Sequence, residues 1–228
     1  MSWLTWKDYR LNRMVFIVAL LLLIAPHVMA AVLSMRGVGS DMGQGWPVWV
    51  HNFLMSGMTS LVLVQLAAAF IGGNAIACER LDRSAEFLAT LPVSRGRKIA
   101  SKLLVTLVLL ALVWLPNFVI LGLVVGTHPQ PQFFHLLGPF LGTVAVIGLT
   151  FFSVAWFFSS LLESPTFSIC AGLIVPILIA AGIASAARLL EVEVSGDFFR
   201  WWFCGSCLVT SAAAFPAGTL YYLRRVEP

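Results

Sequence analysis

The chain has 228 residues, of which 60% are hydrophobic and only 11% are charged. An ordinary soluble domain is about 45–50% apolar and about 25% charged, so this composition excludes a water-soluble fold and indicates a membrane protein. The formal net charge of +4 calls for no nucleic-acid partner, because the distribution of Lys and Arg around apolar segments already explains it.

Six uncharged apolar stretches follow one another along the chain. Since about 20 helical residues cross the hydrocarbon core of a bilayer, each stretch is long enough for one transmembrane helix. The sequence therefore predicts an all-α integral membrane protein, with six transmembrane helices in a single domain over residues 1–228. The predicted spans are residues 14–35, 53–78, 103–126, 134–162, 166–187 and 202–223.

The positions of Lys and Arg predict the orientation of these helices. Eleven of the fourteen lie before the first stretch, between the second and third, or after the sixth. Because positively charged loops remain in the cytoplasm, both termini are predicted to be cytoplasmic. Tryptophans cluster at the opposite ends of the helices, where an aromatic belt is expected; they are Trp46, Trp49, Trp201 and Trp202.

Residues 2–13 mix aromatic and leucine side chains with three basic ones. This mixture predicts an N-terminal helix that lies in the cytoplasmic interface before the first span, and the alternative is a loosely ordered basic tail. The basic segment and the apolar run up to Ala30 also resemble a signal peptide. Apolar residues continue to Met35, so we expect this helix to be retained.

The loops at the opposite side are less regular. Residues 36–52 are rich in glycine, which predicts an irregular loop. Residues 188–201 fit both the spacing of a helix and the alternation of a strand, and we favour a short amphipathic helix on the outer face.

Polar and small residues inside the spans offer two interpretations. The polar set is Gln65, Asn74, Asn117 and Thr150. Each is interpreted first as a helix–helix hydrogen bond, and alternatively as part of the lining of a translocation path. Two pairs of glycines at four-residue spacing predict close contacts between helices; they are Gly122 with Gly126 and Gly138 with Gly142.

Several kinds of chemistry have no motif in this sequence. Charged residues inside the spans would indicate ion coupling or intramembrane catalysis, and these spans are neutral. No phosphate-binding loop is present. Cys204 and Cys207 form a CxxC, yet their position in a predicted span favours ordinary apolar helix residues over a zinc or redox site. We therefore expect no catalytic residue, metal or cofactor on this chain, and an energy source on another subunit.

Residues 77–103 form a charged island between the second and third spans. Ser84 can cap a short helix there, whose apolar residues Phe87, Leu88 and Leu91 are followed by Pro92. Such a helix could dock into a groove of a soluble partner, with Arg83 and Glu86 fixing its register. The alternative is an interfacial loop that packs on lipid only.

This island resembles the signature of type-2 ABC transporter permeases. That signature reads approximately Glu-Arg, then Glu-x-Leu-x-x-Leu-Pro-Val-Ser-Arg, then a Lys, and Glu79-Arg80, residues 86–95 and Lys102 match it. The resemblance implies a coupling helix between spans two and three that docks on an ATPase, with Glu79 and Arg80 at the membrane end of the loop. The implied docking residues are Arg83, Ser84, Glu86, Phe87, Leu88, Leu91, Pro92 and Arg95.

The resemblance also implies the setting of the protein. A cytoplasmic ABC ATPase subunit would bind ATP and Mg²⁺. A second permease, either another copy of this chain or a related permease, would complete the assembly in the inner (cytoplasmic) membrane. The expected function is export of a lipid, an amphipathic compound or a hydrophobic peptide. The alternative is a non-transporting module that passes ATP-driven motion to an outer-face or periplasmic partner. An intramembrane enzyme and a passive scaffold are disfavoured.

Overall fold

A computed structural model describes residues 2–38, 47–81, 94–127, 131–191 and 195–225. These residues form six α-helices and, within the described ranges, no strand. All six helices are long and apolar enough to cross a membrane, which confirms the predicted all-α fold with six spans. The helices are α1 (Ser2–Met35), α2 (Val48–Leu81), α3 (Arg95–Thr127), α4 (Pro131–Leu161), α5 (Pro165–Leu189) and α6 (Gly196–Arg225).

Consecutive helices run in opposite directions, so α1, α3 and α5 begin at the same end of the bundle at which α2, α4 and α6 finish. Contacts between α1, α2 and α3 at this end confirm the arrangement. Most of the Lys and Arg residues lie here, and we call it the basic end. Residues 82–93 join α2 to α3 at the basic end and lie outside the described residues.

The N-terminal segment differs from the prediction in one respect. Residues 2–13 are helical, but they continue into the first span without a break, so a separate interfacial helix is wrong. Leu4, Asp8 and Asn12 share one helical face and are buried, with 6%, 3% and 8% of their surfaces exposed. This face packs on protein, and the segment therefore follows the axis of α1 instead of turning along the membrane surface.

The helices at the opposite end are also longer than expected. The helix α2 begins at Val48, so the last residues of the predicted loop 36–52 are helical. The helix α5 continues to Leu189 and α6 begins at Gly196, where the Ser195 hydroxyl accepts a hydrogen bond from the Phe198 backbone N–H at 3.2 Å. The described parts of residues 188–201 thus belong mainly to two long helices, and the separate short helix predicted there is wrong.

The helix α2 is the centre of the bundle. Over an 18-residue apolar stretch of α2, 67% of the residues are buried, against 17% over the corresponding stretch of α5. A Cβ atom added to Gly72 would lie 2.6 Å from the carbonyl oxygen of Phe152, so α2 and α4 pack with their backbones in close contact. The two predicted glycine pairs on α3 and α4 have no described atom within 4 Å of an added Cβ, so the close contacts predicted for them are not made within the protomer.

Candidate functional site

Four charged side chains from three helices meet at the basic end. Lys7 and Asp8 come from α1, Glu79 from α2 and Lys102 from α3, and we call these four residues the charge cluster. Asp8, Glu79 and Lys102 are buried, with 3%, 3% and 6% of their surfaces exposed. The cluster holds two positive and two negative groups, so its formal charges balance.

The charge cluster is connected by short contacts. The Lys102 Nζ atom lies 2.9 Å from Glu79 Oε1 and 3.7 Å from Asp8 Oδ1. Lys7 pairs with the same Glu79 oxygen and lies 3.6 Å from Asp8 Oδ1. Ser101 donates its hydroxyl to Asp8 Oδ2 at 2.6 Å, and Lys102 also donates to the carbonyl oxygen of Ala75. Each buried charge of the cluster therefore has an opposite charge and a hydrogen-bond partner, as burial in a low dielectric requires.

This cluster was not predicted from the sequence. Residues 2–13 were assigned to the membrane interface and Lys102 to the family signature, whereas the structure pairs the two regions. One signal was available, because Asp8 is the single acidic residue of the N-terminal segment and Glu79 and Lys102 directly flank predicted spans at the same end. Opposite charges at equal depth on neighbouring helices favour pairing.

Two arginines fasten the ends of the α2–α3 connection to the rest of the bundle. The Arg80 Nη2 atom donates to the carbonyl oxygen of Ser160, in the last turn of α4, at 2.6 Å. The Arg95 Nη1 atom donates to the carbonyl oxygen of Leu223, in the last turn of α6, also at 2.6 Å. The last carbonyls of a helix lack partners within the helix and carry the negative end of its dipole, so cationic donors stabilise them.

Most of the predicted docking residues lie outside the described part of the chain. Arg95 is described and makes the contact with α6 given above, and Glu79 and Arg80 lie at the end of α2. The assignment of Glu79 and Arg80 to the membrane end of a coupling loop stays a prediction. The predicted docking helix itself stays a prediction. The docking residues outside the described ranges are Arg83, Ser84, Glu86, Phe87, Leu88, Leu91 and Pro92.

A groove of about 840 Å³ lies between α2, α3 and α4. Its walls are exposed at Leu107, Leu115 and Leu149, so it opens at the side of the bundle. The groove contains one amide, that of Gln65, whose Nε2 atom donates to the carbonyl oxygen of Leu61 at 3.0 Å. The remaining lining is nearly all apolar: Ala68, Leu103, Thr106, Leu107, Leu110, Ala111, Trp114, Leu115, Phe118, Ala145, Gly148, Leu149 and Phe152.

Gly148 makes room for this amide. A Cβ atom added to Gly148 would overlap the Oε1 atom of Gln65, so no larger residue fits at position 148 while Gln65 keeps its position. The two residues come from α4 and α2, and together they form the contact at the base of the groove.

The four residues predicted for a translocation path lie in different surroundings. Gln65 lines the groove. Thr150 is buried on the opposite side of α4, where its hydroxyl accepts a hydrogen bond from Ser211 Oγ of α6 at 3.0 Å. Asn117 is buried and donates to the carbonyl oxygen of Val113 within α3 at 3.1 Å, and Asn74 is half-buried on α2. Gln65 and Thr150 thus face different neighbours, and a role of any of the four in translocation stays a prediction.

None of the four cysteines forms a disulfide. Cys204 lies 3.7 Å from the Thr143 hydroxyl, and Cys207 is buried between α4 and α6, where Thr150 approaches its carbonyl oxygen at 3.3 Å. Within the described ranges, no group of His, Cys, Asp and Glu side chains is arranged to hold a metal ion. Both cysteines of the CxxC therefore occupy a helix–helix contact.

Comparison with known protein families gives a match over most of the chain. The model of the ABC-2 family transporter protein matches residues 6–179, from the first turns of α1 to the middle of α5. No curated protein and no solved structure matches the chain. Because the family model covers well over half of the sequence and all six helices can span a membrane, the chain belongs to the ABC-2 family of transporter proteins and is a multi-pass membrane subunit of a transporter.

Proposed function

We propose that this protein is the permease subunit of an ATP-driven exporter, and that a separate cytoplasmic subunit hydrolyses ATP. The match to the ABC-2 family over residues 6–179 is the observation that carries this proposal. The sequence has no phosphate-binding loop, which supports binding of ATP and Mg²⁺ by the partner. The excess of Lys and Arg at the basic end supports a cytoplasmic orientation of both termini in the inner membrane.

Residues 82–93 are the proposed docking segment for the ATPase subunit. Phe87, Leu88 and Leu91 would be the apolar anchors of a helix in a groove of the partner. The contacts of Arg80 and Arg95 support this assignment, because both ends of the segment are held by the helical bundle. A displacement of the segment would therefore act on the membrane helices.

The assembly is proposed to contain two permease copies. The helix α5 has the lowest buried share of the six, and Ile174, Ile177 and Leu178 are exposed on it. This apolar surface suits either lipid or a second copy, and the proposal of two copies comes from the family resemblance.

The substrate class follows from the groove between α2, α3 and α4. Its lining offers hydrocarbon and aromatic surface and a single amide, and no charged group among the residues that line it. Such a surface binds apolar groups and gives no charged partner to an ion. A lipid, an amphipathic compound or a hydrophobic peptide is therefore the proposed substrate, moved outward.

Co-purification tests the docking assignment. The tagged protein, extracted gently from its native membrane, should carry a stoichiometric ATP-binding subunit. Leu88→Asp should abolish this association, because it places a charge in the proposed apolar contact. Leu190→Asp is the matched control, since Leu190 is exposed at the opposite end of the bundle. Retention of the ATPase by Leu88→Asp at the level of the control would contradict the assignment.

A second measurement separates the exporter from the alternative function. The purified complex in lipid nanodiscs should show ATPase activity that changes with added phospholipids or amphipathic compounds and not with small hydrophilic solutes. An active ATPase that ignores all of these, together with a periplasmic protein in the co-purified material, would favour the non-transporting module instead.

A further inference from the structure

Within the part of the chain that the structure describes, the charge cluster joins three helices at the basic end. Glu79 pairs with Lys7 of α1 and with Lys102 of α3, and Asp8 of α1 approaches Lys102 and accepts from Ser101 of α3. The helix α1 thus supplies one positive and one negative group, and both are satisfied by other helices. Three helices share one set of balanced charges.

Burial makes this set difficult to separate. Ionic contacts are strong in a low dielectric, so breaking them at a buried position is unfavourable. If α1 moved away from α2 and α3, the pairs Lys7–Asp8 and Glu79–Lys102 would remain. The contacts of Lys7 with Glu79 and of Asp8 with Lys102 and Ser101 would break together. The basic ends of α1, α2 and α3 are therefore expected to move as one unit.

The contacts that lead to α4 and α6 are of a different kind. Arg80 and Arg95 each donate to a neutral carbonyl oxygen, and both arginine side chains are partly exposed. Water can replace a carbonyl acceptor at an exposed position, so these hydrogen bonds can break without leaving a buried charge. At the basic end, the polar contacts among α1, α2 and α3 are thus harder to break than the hydrogen bonds to the last turns of α4 and α6.

We propose that the charge cluster couples the N-terminal part of α1 to α2 and α3, so that ATP-driven displacement of the ends of α2 and α3 also moves α1. This inference rests on the proposed function, since that displacement comes from the ATPase subunit. Lys7 and Asp8 act here as positioning residues that touch neither nucleotide nor substrate. Their role is to make α1 part of the moving unit.

The double variant Lys7→Gln with Asp8→Asn isolates this role. It removes one positive and one negative charge from α1 and leaves the balanced Glu79–Lys102 pair, so the bundle should still fold. Hydrogen exchange of the purified chain in nanodiscs should become faster in residues 2–13 and stay unchanged in α2 and α3. Arg10→Gln is the control, because Arg10 is exposed on the same helix. Equal exchange of residues 2–13 in the double variant and the parent would overturn the proposal.

A distance measurement in the complex with its ATPase tests the motion itself. Spin labels are attached at position 10 of α1 and position 97 of α3, because Arg10 and Arg97 are both exposed. The labelled protein lacks the four native cysteines, and each complex contains one labelled copy. Trapping with ADP and vanadate should leave the Arg10–Arg97 separation unchanged in the parent. The same trapping should change the Arg10–Arg97 separation in the Lys7→Gln, Asp8→Asn variant, because α1 no longer follows the movement of α3.

Two further results complete the test. The charge-conserving variant Lys7→Arg with Asp8→Glu should restore the constant separation, which a role limited to stability would not require. A separation that changes on trapping in the parent, or stays constant in the neutral double variant, overturns the coupling. If no ATPase subunit co-purifies, the proposed function fails and the nucleotide-driven motion fails with it, whereas the exchange experiment reports on the attachment of α1 by itself.

Discussion

The basic end and the middle of the bundle are held together by different chemistry. At the basic end, Lys7, Asp8, Glu79 and Lys102 form a buried, balanced set of charges. In the middle, helices meet through glycine and through hydroxyl groups, as at Gly72 against Phe152. Charge is costly deep in a bilayer and less costly near its boundary, so ionic contacts are confined to the helix ends and neutral contacts hold the interior.

The middle of the bundle depends on close backbone approach. A Cβ atom added to Gly172 of α5 would lie 2.8 Å from the Ala155 Cβ of α4, and one added to Gly218 of α6 would lie 2.8 Å from the Phe157 Cα. Hydrogen bonds such as that from Ser211 to Thr150 add to these contacts. The stability of the bundle should therefore depend most on charge balance at the basic end, and most on side-chain volume in the interior.

Removal of one cation should give the largest loss of stability. Lys102→Met removes one of the two lysines of the charge cluster, so its two buried carboxylates are no longer balanced within the cluster. Breaking a buried ion pair in this way costs about 3–5 kcal/mol. The thermal transition in detergent, followed by size-exclusion chromatography, should fall well below that of Arg97→Met, in which an exposed charge is removed. Equal transitions of the two variants would show that charge balance does not hold the basic end.

Added volume in the interior should have the next largest effect. Gly72→Val places a side chain against the carbonyl oxygen of Phe152 and forces α2 away from α4. Overpacking of this kind costs about 1–3 kcal/mol. Gly122→Val is the control, since no described atom lies within 4 Å of an added Cβ there. A stable Gly72→Val variant would mean that α2 and α4 can separate freely, and the contrast between the two regions would weaken.

Loss of one hydroxyl in the interior should have the smallest effect. Thr150→Val removes the acceptor for Ser211 between α4 and α6. Such hydrogen bonds in membrane proteins contribute about 0.6 kcal/mol on average. Thr210→Val is the matched control, because the Thr210 hydroxyl donates to Ser206 within its own helix. The transition of Thr150→Val should lie only slightly below that of Thr210→Val, and a drop as large as that of Lys102→Met would contradict the ranking.

The sequence predicted the number and type of helices because each span is an uninterrupted apolar run, which is a local property. Partners distant in the chain were not predictable in the same way. Asp8 contacts Ser101 and Lys102, which lie more than ninety positions later in the chain. An amphipathic pattern in residues 2–13 also does not distinguish a helix face that packs on protein from one that packs on lipid. The docking residues 83–92 remain predictions from the sequence.

The glycines give a second example. The spacing of Gly122 with Gly126 suggested a contact, yet α2 uses the adjacent pair Gly72 and Gly73, which touch α4 and α5 respectively. The spacing of glycines shows that one face of a helix consists of small residues. It does not show which other helix packs against that face. That information lies in the tertiary arrangement of α2 at the centre of the bundle.

The contact between Gln65 and Gly148 has a consequence for the divergence of related transporters. The amide of Gln65 occupies the space that a side chain at position 148 would fill. A mutation of Gly148 to a larger residue would push this amide into the groove and change the surface offered to a substrate. The two positions are therefore expected to change together, so that a relative with a larger residue at 148 carries a shorter one at 65, and a new substrate preference would arise in two linked steps.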